Sequence, residues 1–376
     1  MVKYKRYFPT GIPVMDENLA GREKEKDLVK QLLKNGQSVI LYGPRRIGKT
    51  SIALTVLNEL KTEGYFTGHA DIFECATLQV LSQRITETTL NNKKLSKIIS
   101  SLKENLSEAF KNLQIKQTIN DFEWMLKFAE KNKNEHELFS TVLDFPDKFA
   151  KKHKAHMIMF IDEIGDIDKF DSGNLIKLMR SKFQLHNNVT YLFAGSQQSV
   201  IENIFVDKTG PFYRFGQLMP IDTIQKDAFK EYLILKFNEV KVNFTHKALD
   251  YLLDITDGHP YYTQLLCREL YFYAMSHNTV INNETVEFTL QEAIFAEDIY
   301  FSKIWEEIAA NSAQINILHN IIENKNSLYN NNSEKKLNVS RTLNQLQNKG
   351  LIRKEAKGRF KFVDPLFAEY VKRKFL

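Results

Sequence analysis

Gly43-Pro44-Arg45-Arg46-Ile47-Gly48-Lys49-Thr50 is the stretch that decides how this chain folds. The eight residues fit G-x-x-x-x-G-K-[ST], a loop that holds phosphate when it joins a strand to a helix. The flanks supply that context. Residues 38–42 (Ser-Val-Ile-Leu-Tyr) read as a buried strand, and residues 51–60 place Ile52, Leu54, Val56, Leu57 and Leu60 at helical spacing. The glycines let the backbone curl so that successive N–H groups face phosphate oxygens, and the helix that follows adds the positive end of its dipole. In such a loop Lys49 reaches the β- and γ-phosphates and the Thr50 hydroxyl ligates Mg²⁺. The expected nucleotide-contacting residues are therefore Gly43, Pro44, Arg45, Arg46, Ile47, Gly48, Lys49, Thr50 and Ser51. No guanine-reading N-K-x-D motif follows in a suitable place, and ATP with Mg²⁺ is the expected cofactor pair.

Outward from the loop, strands and helices alternate. Residues 65–71, 156–163, 190–194 and 217–220 read as further strands, and residues 23–33 and 77–90 as helices. Alternation of this kind predicts a parallel, doubly wound α/β core of the P-loop type. Residues 1–18, with Pro9, Gly11 and Pro13, read as an extended lead-in. The Lys-, Asn- and Glu-rich segment of about 91–154 reads as a largely helical insertion of unassigned function. From 223 to about 311 the pattern is helical throughout, broken at Asp257-Gly258-His259-Pro260.

Residues 312–376 are organised differently. A helix at 313–323, a polar linker at 324–336 and a helix at 338–348 with Val339, Leu343 and Leu346 facing inward precede a hairpin, 351–354 and 359–363, turned at Ala356-Lys357-Gly358. Helix, helix, basic hairpin is the outline of a winged helix. This segment carries 13 Lys plus Arg against 5 Asp plus Glu, a surplus of 8, while the rest of the chain carries 39 against 41; the chain as a whole is +6. A local basic surplus points to a polyanion, here double-stranded DNA, although lysine-rich solvated faces also produce it. In a DNA contact Ser340, Arg341, Asn344, Gln345 and Lys349 would lie on the helix and Arg353, Lys354, Lys357, Arg359 and Lys361 on the wing.

The run His156-Met157-Ile158-Met159-Phe160-Ile161-Asp162-Glu163 is a strand buried on both faces that ends in two acids. Triphosphate hydrolysis needs Mg²⁺ held against the phosphates and a water aligned and deprotonated. Asp162 is the expected partner of Thr50 at the metal, and Glu163 the expected base. Ser196 and Gln197 follow the next strand, where a polar side chain reaches the attacking water or the γ-phosphate. An ordinary strand-to-loop junction reads the same way.

Length and a hydrophobic share of 43% allow sizeable cores, and 376 residues suggest two or three domains. No apolar run approaches a membrane span and no hydrophobic stretch follows the basic N-terminus, so the expectation is a cytoplasmic protein without a membrane partner. Cys75 and Cys267 are isolated, which argues against structural zinc or a disulfide framework and fits a reducing compartment.

Leu19-Ala20-Gly21-Arg22-Glu23, the Asp162-Glu163 strand, Ala194-Gly195-Ser196, Gly258-His259-Pro260 and Asp364-Pro365-Leu366-Phe367, in this order and spacing, resemble the archaeal-type ATPase family. That family lies in the STAND branch of AAA+-related P-loop ATPases and is similar in layout to origin-recognition proteins. The resemblance implies an ATPase core at 1–222, a helical lid at 223–311 and a winged helix at 312–376. It places Gly21 and Arg22 near the adenine and starts a lid helix at Pro260. Arg214, in Pro211-Phe212-Tyr213-Arg214-Phe215, matches a family arginine and reads as either an arginine finger or a structural cation. Where related motors carry a lid arginine this chain has His259-Pro260-Tyr261-Tyr262, which favours a slowly cycling, nucleotide-controlled switch. Two other readings stay open: a DNA-binding module that uses ATP only to set its assembly, and a protein-interaction regulator of a toxin or nuclease, acting on a partner or through self-association.

Overall fold

A computed structural model of the chain describes residues 7–93, 135–170, 173–323, 333–356 and 358–376. Their backbone divides into two compact units. One holds the described residues of Arg22–Arg45 and Lys49–Ile221, the other those of Met1–Gly21, Arg46–Gly48 and Asp222–Leu376.

The first unit is built on β1 (Val39–Tyr42), β2 (Phe66–Asp71), β3 (Met157–Asp162), β4 (Val189–Gly195) and β5 (Gln217–Pro220). They form one sheet in the order β2-β3-β4-β1-β5, with every neighbouring pair parallel. All residues of β3 and β4 are buried, as a parallel sheet covered on both faces requires. Each expected strand is present. Around the sheet lie α1 (Glu23–Lys34), α2 (Lys49–Thr62), α3 (Leu78–Leu90), α4 (Glu135–Lys152) and α5 (Asn174–Phe183). Thr77 caps α3 by accepting the Val80 N–H at 3.2 Å. Helix α4 falls within the expected insertion and contributes Phe139, Val142 and Leu143 to the same core as Leu81 and Ile85 of α3. Residues 94–134 of that insertion lie outside the described residues. Helix α5 is an element beyond those expected; Leu175, Ile176, Met179 and Phe183 give it a buried face at helical spacing.

The second unit is helical: α6 (Lys226–Glu239), α7 (His246–Thr256), α8 (Pro260–His277), α9 (Asn283–Ala296), α10 (Asp298–Ala309), α11 (Ser312–Ile322) and α12 (Ser333–Asn348). The antiparallel hairpin of β6 (Ile352–Ala356) and β7 (Arg359–Phe362) follows, and α13 (Pro365–Phe375) closes the chain. Helix α12 starts five residues ahead of the expected 338, because Glu334, Lys335, Lys336 and Leu337 are good helix formers. The rest of the expected linker, 324–332, and Lys357 of the turn lie outside the described residues. Leu343 and Leu346 are buried as expected and Val339 is half-buried against them. One continuous core joins Phe229, Leu249, Leu270 and Leu290 to Leu318, Leu346, Ile352 and Leu366, so the chain does not open a new core at residue 312. Among the described residues no helix is long and apolar enough to cross a membrane.

Candidate active site

The phosphate-loop candidate begins where β1 ends. At Gly43 φ is 153°, and a Cβ there would lie 2.2 Å from the Ile221 carbonyl oxygen, so no larger residue fits beside the strand-end bond from the Ile221 N–H to the Tyr42 carbonyl, 2.8 Å long. Arg46, with φ of 62°, turns the chain through the left-handed region and Ile47 is buried. Arg45 and Arg46 are exposed. Helix α2 then starts at Lys49, with Ser51 buried and its carbonyl accepting the Thr55 hydroxyl at 2.9 Å. Lys49 Nζ donates to the carbonyls of Gly43 at 3.0 Å and Pro44 at 2.8 Å. Burial pushes its pKa down, against the pull of Glu163 and Asp162.

The strand-end acids lie beside that lysine in charge space and one of them bonds the loop directly. Thr50 Oγ1 donates to Asp162 Oδ2 at 2.7 Å, across 112 residues of sequence. Asp162 is 2% exposed, and burial raises its carboxyl to about 6, with the Thr50 hydrogen bond opposing and the charges of Asp71 and Glu163 adding to the rise. The next residue breaks the strand: Glu163 has φ 47° and ψ 52°, a left-handed conformation uncommon for a side chain without glycine's freedom. That turn aims its carboxylate at the end of β4. There Oε2 accepts the Ser196 N–H at 3.0 Å and the Ser196 hydroxyl at 2.9 Å. Gln197 is exposed and its side chain bonds no described residue, so of the two polar candidates after β4 only Ser196 meets an acid.

Two neighbours were not singled out from the sequence. Asp71 ends β2 in register with Asp162, and burial raises its carboxyl too. His69, two residues earlier, stacks on Phe160 with ring centroids 4.8 Å apart and brings Nε2 to 3.9 Å from Asp162 Oδ2. The acid at the end of β2 was visible as a residue; its pairing with Asp162 depends on strand order, which local sequence does not carry.

This donor set fits a hard divalent cation. A hydroxyl and a buried, poorly solvated carboxylate converge at Thr50 and Asp162, and Mg²⁺ needs only one or two protein oxygens beside phosphates and water. Among the described residues no group of three His, Cys, Asp or Glu side chains is placed to hold a metal ion.

The remaining expected residues lie elsewhere. Arg22 is buried and pairs with Glu25 at 2.9 Å. In the second unit, a Cβ on Gly21 would approach the Ile224 side chain to 2.7 Å. One on Gly258 would meet the Ile224 carbonyl at 2.2 Å, and the Ile224 N–H donates to the Gly258 carbonyl at 2.9 Å. Ile224, absent from the expected list, is thus the residue on which both glycine motifs converge. Pro260 is the first residue of α8. Arg214 is exposed, in a left-handed turn with φ of 55°; its guanidinium lies 5.3 Å from the Tyr213 ring centroid and pairs with no carboxylate among the described residues.

A loop of this form between β1 and α2, with a strand-end acid bonded to its threonine and a second acid turned toward the next strand, places the chain among the P-loop ATPases, enzymes that bind and hydrolyse ATP. It belongs to the family of ATPase domains found predominantly in Archaea, which matches residues 19–266. No curated protein matches the chain. Among solved structures it is similar to the Walker-type ATPase of Pyrococcus abyssi, at 19% identity and a TM-score of 0.67 over 97% of this chain and 99% of that one. It is similar also to the ORC2 protein of Aeropyrum pernix in ADPNP–ADP complexes, at 13% identity and a TM-score of 0.58 over 99% and 97%. Cdc6p from Pyrobaculum aerophilum matches at 12% identity and a TM-score of 0.52 over 98% of each chain. At such identities the likeness is one of fold.

Proposed function

We propose that this ATPase is Mg²⁺-dependent and works as a nucleotide-controlled switch whose C-terminal winged helix contacts double-stranded DNA. The observation that carries the catalytic half is the Thr50–Asp162 hydrogen bond beside buried Lys49, with Glu163 turned out of β3 toward Ser196. Thr50 and Asp162 would hold the metal, which supplies charge neutralisation on the phosphates. Lys49 leaves its carbonyl partners for the phosphate oxygens, a charge-assisted exchange. Glu163 takes the proton of the attacking water, and Ser196 fixes the direction of its carboxylate. Gly21 and Gly258, which meet on Ile224, are assigned with Arg22 and Pro260 to the adenine side; Gln197, exposed, is left with at most a water contact. Arg214, exposed and without a carboxylate, is assigned to a neighbouring copy's nucleotide, which makes self-association part of the cycle.

The DNA reading rests on the basic surplus of residues 312–376 and on exposed Ser340, Arg341 and Asn344 along α12, with Lys354 and Arg359 exposed on the hairpin. Gln345 points inward instead, accepting from Gln314 at 3.2 Å. A switch further requires that ATP bind one arrangement of the protein better than another. Glu163→Gln keeps an acceptor for Ser196 but removes the base, so it is expected to bind ATP and to lose turnover by roughly 10²-fold or more. Lys49→Ala is expected to lose ATP binding itself. Calorimetry with Mg²⁺-ATP and a phosphate-release assay check both; turnover by Glu163→Gln at the parent rate removes the base assignment.

A further inference from the structure

The cations of the hairpin are divided between two faces. Arg353 and Lys361 are cross-strand partners, so their side chains share one side of the ribbon, and Lys354 with its partner Phe360 takes the other. Lys354 and Arg359 are exposed and form no ion pair among the described residues. Arg353 instead places Nη1 at 2.5 Å from Asp222 Oδ1 and Nη2 at 3.4 Å from Asp257 Oδ2. Lys361 Nζ lies 3.1 Å from Asp257 Oδ1 and 2.7 Å from Glu355 of its own hairpin.

The two aspartates are held in place by a single clasp. Asp222 lies two residues before Ile224 and Asp257 one residue before Gly258, and these two are joined by the Ile224 N–H to Gly258 carbonyl bond. Asp257 caps α7 in a left-handed conformation, φ 48°, and Asp222 accepts the Thr223 N–H at 2.7 Å. Two carboxylates are thus presented to a guanidinium and an ammonium much as successive phosphates would be. The acids of these pairs are solvent-exposed, Asp222 at 65% and Asp257 at 42%, which weakens each pair and lets a polyanion of higher charge density compete for the cations.

We propose that Asp222 and Asp257 are an internal phosphate mimic that masks Arg353 and Lys361, so that duplex DNA reaches the inward face of the hairpin only by displacing them. The proposal rests on the reading that this hairpin contacts DNA. It divides the hairpin into an unpaired set, Lys354 and Arg359, open to DNA at first encounter, and a masked set engaged afterwards.

The test uses the full chain and a short duplex of random sequence over a salt series. Asp222→Asn/Asp257→Asn removes both charges while keeping the Thr223 acceptor and a residue type that tolerates the left-handed turn. Asp250→Asn/Asp254→Asn is the control: it makes the same charge change on α7, where the acids pair with Lys230 and Lys226 and not with the hairpin. The unmasked variant is expected to bind roughly tenfold tighter at physiological salt. Its slope of log affinity on log salt should steepen by roughly one to two, since Arg353 loses both of its acids while Lys361 keeps Glu355 at 2.7 Å, and the control should stay within about twofold of the parent. Binding by the variant where the parent shows none supports the mask as well. If parent and variant bind with equal affinity and slope, DNA contact stands and the mask is overturned; equal gains in variant and control overturn it too, since net charge alone then explains them. No binding by either at the lowest salt overturns mask and DNA reading together. Should the double variant melt early, Asp257→Asn alone carries the test: it loosens both cations while Arg353 keeps Asp222 and Lys361 keeps Glu355, so a smaller gain in affinity and slope than the double variant's is expected, and an unchanged affinity and slope overturn the mask.

Discussion

Glu163 and Ser196 are joined by two hydrogen bonds to a single carboxylate oxygen, one from the serine N–H and one from its hydroxyl. Both acid and serine terminate strands, β3 and β4, that lie side by side in the sheet. The contact fixes the direction of a carboxylate that the left-handed turn at Glu163 has already swung out of the strand. Ser196→Ala keeps the backbone bond and loses the hydroxyl one. We expect kcat to fall about tenfold with KM nearly unchanged, the mark of a group that orients the proposed base and does not bind substrate. Steady-state kinetics on the variant decide this, and an unaltered kcat would mean that the backbone bond alone suffices.

Asp162 gives a pH signature in metal-free buffer. Its carboxyl is raised to about 6 by burial, above the unfolded value near 4, so between these values the folded protein holds the extra proton. Burying the ionised form costs stability at neutral pH, on the order of 2–3 kcal/mol, and that cost shrinks as pH falls through 6 and is gone only near the unfolded value. Asp162→Asn has no such proton to gain. The stability of the parent relative to Asp162→Asn should therefore improve as pH is lowered from 7.5 to 5, as read by paired denaturant melts. A constant difference would show that Asp162 is not strained by its charge.

Arg214 makes no ion pair with any described carboxylate, so its removal should cost little fold stability, within about 0.5 kcal/mol. Turnover is the sensitive quantity. Specific activity of the parent should rise with protein concentration as copies meet, and Arg214→Ala should lose that rise. A variant that melts early at full activity would instead make the residue a structural cation.

Gly258 is placed so that a methyl group would collide with the Ile224 carbonyl at 2.2 Å, in a left-handed turn with φ of 65°. Gly258→Ala should destabilise the helical unit by about 2 kcal/mol or more. Denaturant unfolding followed by far-UV signal measures it; a change under about 0.5 kcal/mol would show that the clasp yields.

Much of this protein was legible before folding was considered. The phosphate loop is contiguous, so its glycines, Lys49 and Thr50 read as one motif, and β3 and β4 read as buried strands because a parallel sheet covered on both faces asks for unbroken apolar runs. Strand β5 was found at its bounds from four residues. Helix α5 has a helical apolar face but no side-chain start signal at its N-cap, where Gly173 offers no acceptor.

What the chain alone determined, then, is the set of local devices: a loop that curls for phosphate, strands that end in acids, a basic hairpin. Tertiary structure decided which of them meet. Thr50 bonds Asp162 across 112 residues, Ser196 rather than Gln197 reaches Glu163, Asp71 falls in register with Asp162, and Arg353 turns to Asp222 across 131 residues. Backbone propensity and apolar period act over a few neighbouring residues, whereas strand order and the pairing of charges are set by how whole elements bury their apolar faces against one another.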